Sequence, residues 1–142
     1  MKILLPAWLA LFAGAPQAAE DTRQLVAMPA AADANLRSEM RASLLALNEI
    51  LGLVVAGKLK EAGEMAEKEL GLSAMGKHRQ QPFDARPGPH MPPAMHRLGI
   101  DGHQAASEFA RLAASGDRER TIAALPSLTA ACVACHYSYR IR

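Results

Sequence analysis

The sequence predicts an all-α protein, an antiparallel four-helix bundle, on three observations. Half of its residues are apolar yet only six are aromatic, and alanine and leucine outnumber β-branched residues, a composition that favours helices over sheets. Apolar residues recur at steps of three and four, and glycines and prolines cut the chain into four such segments. At 142 residues the chain has the length of one ordinary domain.

The elements follow in order. Residues 1–19 (MKILLPAWLALFAGAPQAA) carry Lys2, an apolar run from Ile3 to Phe12 too short to span a bilayer, and a small-residue end at Ala18 and Ala19. This is the pattern of a secretory signal peptide, with the mature domain at residues 20–142. No later run approaches a transmembrane length. Sixteen basic residues face 14 acidic ones, and the leader removes Lys2, so the balance gives no footprint for nucleic acid.

From about Asp33 to Ala56, Leu36, Met40, Leu44, Leu47, Leu51 and Val54 mark one side of a long amphipathic helix, which Gly57 ends. A second helix follows with Leu59, Ala62, Ala66 and Leu70 on one side and Gly71 in the position of a C-terminal cap. Residues 72–99 hold five of the nine prolines and read as a long irregular connection. A third helix is expected near Asp101, whose spacing to Gln104 resembles a capping box, and it runs to Gly116. Asp117 caps a fourth, kinked by Pro126 and continuing through Leu128, Cys132 and Cys135 to Tyr139. No strand is expected.

That last helix holds the only two cysteines, in CVACHYSYR. Positions 132, 135 and 136 are related as i, i+3 and i+4, so both sulfurs and the imidazole leave one side of a helix. C-x-x-C-H is the attachment signature of c-type haem: thiols add to the vinyl groups and the histidine becomes an axial ligand. A thiol redox pair or an incidental disulfide competes, but neither requires His136, and redox C-x-x-C motifs accompany βαβ patterns that are missing here. Structural zinc would need a second ligand pair. No constellation of nucleophile, base and orienting acid suggests an enzyme.

A bundle with this motif on its final helix, as C-x-x-C-H-x-x-Y-R (Cys132, Cys135, His136, Tyr139, Arg140), resembles the class II c-type cytochromes, the family of cytochrome c prime and its low-spin relatives. The specific part of the resemblance is confined to that terminal motif and the helix leading into it. The resemblance implies one covalent haem c between the first and last helices, Arg140 near its proximal side, and a basic residue of the first helix, Arg37 or Arg41, at a propionate. Tyr139 is a further pocket candidate. Low-spin members place a methionine on the iron and transfer electrons to and from redox protein partners; high-spin members leave the sixth position open and bind nitric oxide or carbon monoxide. Met40 is the expected sixth ligand, with Met28 a rival, and each could equally be a packing methionine. The family often forms homodimers through its first two helices. One feature departs from its pattern: Met75, His78, His90, Met91, Met95, His96 and His103 crowd in or just beyond the connection, a supply of soft and imidazole donors that suits copper and keeps a metal-handling role or a loop-derived iron ligand open. The expectation is an exported, periplasmic monohaem electron carrier with His/Met iron.

Overall fold

The computed structural model describes residues 20–142, so the predicted leader lies outside the described residues. The described chain is mainly helical, as expected for an all-α protein. Helix α1 spans Ala30–Val55. It starts three residues before Asp33 because three alanines follow Pro29, and Asp33 N–H closes the first turn on the Pro29 carbonyl at 2.9 Å. Gly57 ends it with φ of 74°: its N–H meets the Val54 carbonyl and the Lys58 N–H meets that of Leu53, a closure that a side chain would strain.

Helix α2 spans Leu59–Leu70 and lays its small residues Ala62, Gly63 and Ala66 against α3, Pro93–Ala114. A Cβ on Gly63 would stand 2.9 Å from the Ala110 carbonyl oxygen, so glycine sets the approach of these two helices. Gly71 follows α2 but is not a left-handed cap, since its φ is −75°. It is required for space instead: a Cβ there would lie 2.7 Å from the Glu67 carbonyl oxygen.

The connection is shorter than expected. Three 3-10 turns, Leu72–Ala74, Phe83–Ala85 and Gly88–His90, carry it to α3, which begins at Pro93 rather than near Asp101. Proline suits the first helical position, where no intrahelical N–H is needed. Asp101 therefore lies inside α3, where it accepts from Arg97 Nε at 2.9 Å instead of forming a capping box. The connection is tied to α1 by Asn35, whose amide donates to Gln81 Oε1 at 2.9 Å and to the Ala85 carbonyl at 2.7 Å.

Gly116, with φ of 75°, turns the chain to Asp117, whose carboxylate caps the next helix by accepting from Arg120 N–H at 3.0 Å. The expected single kinked helix is two helices, α4 (Arg118–Ala123) and α5 (Leu125–Ser138). Pro126 cannot donate to the Ile122 carbonyl, so the ladder stops and α5 restarts with proline in its first turn.

The strands that the sequence did not suggest are two residues each, β1 (Gln24–Leu25) and β2 (Tyr139–Arg140), paired in parallel. They join the two ends of the described chain, beyond the reach of a local pattern. Packing runs from α1 to α2, α2 to α3 and α3 to α5; α1 and α5 share no comparable interface. The main core gathers Ile50, Val54, Leu59, Ala62, Ala66, Ala106, Phe109, Ala113 and Leu128. A second cluster at the start of α1 contains Val26, Leu36 and Met95, flanked by Met28, Met91, Cys135, Tyr139 and Ile141. No helix among the described residues is long and apolar enough to cross a membrane.

Candidate haem-binding site

Helix α5 brings the motif together as its spacing requires. Cys135 is half-buried against the second cluster, while Cys132 and His136 are exposed on the adjoining side. Burial pushes both thiols above the ordinary cysteine range, and at Cys135 the neighbouring Cys132 adds to the rise. A thiol redox pair works through a lowered pKa that supplies thiolate; this environment acts in the opposite direction.

The buried side of α1 is Ala32, Leu36, Ala46, Ile50 and Val54, so the stripe expected from the sequence is rotated. Met40 is 41% exposed, Leu44 68%, Leu51 41% and Val55 79%. At about 100° per residue these four fall within roughly 60° of one another, beside the buried side and without a partner among the described residues. The α1 stripe and the Cys132/His136 side of α5 belong to the two helices that do not pack on each other. Met40, the sixth ligand expected from the resemblance, is exposed on α1 and is not in the cluster that contains Cys135. That cluster holds Met28, Met91 and Met95 instead.

The two candidate arginines of α1 differ. Arg37 pairs through Nε with Asp33 at 2.9 Å, and its Nη2 is buried with no hydrogen-bond partner. Arg41 is exposed. Arg140 has a buried Nε without a hydrogen-bond partner, 3.6 Å from Asp21 Oδ2. An unpartnered buried guanidinium N–H is costly unless an acceptor completes it, and a haem propionate is an acceptor of the right charge. With the unpaired apolar stripe of α1 facing no helix, the residues present fit a haem group.

The histidines of the Met/His-rich connection and its flank are held apart, each by a different partner or exposed, whereas Met91 and Met95 share the second cluster. His78 Nε2 faces Glu39 Oε1 at 3.1 Å, His90 Nε2 lies 3.3 Å from the Phe83 carbonyl, and His103 Nδ1 donates to the Leu70 and Gly71 carbonyls at 2.8 and 3.0 Å. His96 is exposed beside Gly88, and Met75 is exposed. Among the described residues no three His, Cys, Asp or Glu side chains come together to hold a metal ion.

Residues that the sequence reading missed are Asp21, Arg23 and Val26. Arg23 Nη1 donates to the His136 carbonyl at 3.4 Å, and Val26 N–H to the Arg140 carbonyl at 2.8 Å. No periodicity could reveal them, because they act across the whole length of the chain. No protein-family model, curated protein or solved structure matches this sequence.

Proposed function

We propose that this chain is an exported, periplasmic monohaem c-type cytochrome that carries single electrons between other redox proteins. The observation that carries the reading is Cys132, Cys135 and His136 on one side of the final helix; α1 also exposes an apolar stripe of Met40, Leu44, Leu51 and Val55. In this reading the helices form an antiparallel four-helix bundle, with α4 and α5 together as its last member.

When bound, haem supplies reversible one-electron chemistry at its iron, and the protein supplies ligands, orientation and a low-dielectric surround. Cys132 and Cys135 would hold the group through thioether bonds and His136 would ligate the iron. Met40 would approach from α1, the sulfur favouring the ferrous state. Arg37 is the better propionate partner of the α1 pair, given its unpartnered buried N–H. Tyr139 and Leu36, in one cluster with Cys135, would exclude water from one edge.

Absorption spectra of ferric and ferrous protein, with and without carbon monoxide, test the assignment of Met40. His/Met ligation requires low-spin iron in both states and little carbon monoxide uptake, while Met40→Ala should give a ferrous protein that binds it readily. Rapid uptake by the wild type would overturn electron transfer in favour of gas binding. A low-spin Met40→Ala protein would pass the ligand role to a methionine of the second cluster, such as Met28 or Met91.

A further inference from the structure

The segment just beyond the predicted leader is built into the end of the haem motif. Helix α5 ends at Ser138, so the His136 carbonyl loses the donor that a continuing helix would offer, the N–H of Arg140, which has passed into β2. Arg23 takes its place, donating from Nη1 to that carbonyl at 3.4 Å. Asp21 in turn holds Arg23, accepting from Nε at 2.9 Å and from Nη2 at 2.7 Å. The same Oδ2 stands 3.6 Å from Arg140 Nε, beyond hydrogen-bond reach but within that of an ion pair. Below this group, β1 pairs with β2 and the buried Val26 fixes the strap to the cluster containing Cys135. One carboxylate thus sits between two guanidinium groups, and one of these grips the backbone of His136.

We propose that Asp21 is a positioning residue for the haem iron, bridging Arg23 and Arg140 over the His136 backbone and setting the net charge that the iron experiences. The inference rests on the haem reading above. Ferric iron carries one more positive charge than ferrous iron, so nearby cations favour reduction and nearby anions oppose it. Each reduction takes one electron from a partner protein and makes or breaks no bond at these residues. Arg140 alone would raise the potential; Asp21 offsets it. Its carboxyl is held at about 2 by the hydrogen bonds from Arg23, so the offset is a fixed charge at neutral pH.

A strap that served only to close the fold would behave in the opposite way. Loosening it would admit water, which stabilises the more highly charged ferric state and lowers the potential. The sign of the shift therefore separates the two roles.

The test is a mediated redox titration of purified, haem-loaded protein. Asp21→Asn should raise the midpoint potential and Asp21→Glu should retain the wild-type value. Asp21→Ala should raise it as well, an independent check if the asparagine variant is poorly made. The Asp21→Asn/Arg140→Ala double variant should fall back toward the wild type. Glu61→Gln, an exposed carboxylate in the first turn of α2, serves as a control and should shift the value less than Asp21→Asn. An unchanged or lowered potential in Asp21→Asn, or a double variant as high as the single, would overturn the proposal. Loss of all haem on acid extraction of the wild type would instead overturn the haem reading, so the two failures are distinct.

Discussion

Replacing Gly63 with alanine tests the close approach of α2 to α3. The built Cβ would meet the Ala110 carbonyl oxygen at 2.9 Å and the Ala113 Cβ at 3.1 Å. A carbonyl inside α3 cannot rotate away, so α2 must retreat from Ala106, Phe109 and Ala113, all buried in the main core. Alanine gains about 1 kcal/mol of helix propensity over glycine, while overpacking of a tight contact costs about 1–3 kcal/mol. Because a backbone carbonyl cannot yield, the steric cost falls in the upper part of that range, about 2–3 kcal/mol, and after the propensity gain Gly63→Ala should lose about 1–2 kcal/mol. At roughly 4 °C per kcal/mol for a domain of this size, thermal unfolding followed by circular dichroism should show Tm lower by about 4–8 °C. Gly52→Ala is the internal contrast. Gly52 is also in a helix but nothing lies within 4 Å of its Cβ position, so the propensity term acts alone and Tm should rise by about 4 °C. A Gly63→Ala protein as stable as the wild type would refute the argument that this glycine sets the α2–α3 distance.

Other expectations are independent of that contact. The Glu67 carboxyl is held below the ordinary glutamate range by hydrogen bonds from Ser107 and then from the Ser73 hydroxyl and N–H. Its contribution to stability is therefore present above the unfolded value of about 4.3 and lost as pH falls through the lower folded value; denaturant titrations of Glu67→Gln should show a smaller loss over that acidic range than the wild type does. Asp117→Ala removes the cap on α4 and should cost about 1 kcal/mol in the same assay. If the haem reading holds, Arg140→Ala should lower the midpoint potential, since a half-buried cation close in sequence to His136 would disfavour ferric iron; no change in a folded variant would make Arg140 a mere partner of Asp21.

The first two helices and the start of α4 were legible because their signals are local: apolar steps of three and four, a glycine whose positive φ ends α1 at Gly57, and an aspartate that caps α4 at Asp117. The start of α3 was not, since five clustered prolines mark a loop by composition although Pro93 fits the first turn of a helix. Gly71 is the C-terminal cap position that the sequence marks, but its φ is −75° and glycine is needed there for the space beside the Glu67 carbonyl, which spacing does not reveal. The apolar stripe of α1 was correctly periodic but wrongly aimed. Leu36 and Val54 are buried, whereas Met40, Leu44 and Leu51 belong to the adjoining unpartnered side, a distinction that depends on which helices pack. The motif on α5 was fully visible in the sequence, while the strap formed by Asp21, Arg23 and Val26 depends on pairing between chain ends.

Covalent attachment of haem is the central claim, and denaturation tests it most directly. In the proposed reading, axial bonds from His136 and Met40 would be lost with the fold, but thioether bonds from Cys132 and Cys135 would not. Mature protein made with the c-type haem maturation machinery, unfolded and extracted with acid, should keep its haem absorption on the polypeptide, and Cys132→Ala or Cys135→Ala should impair attachment. Release of all haem from the wild-type chain would contradict the account.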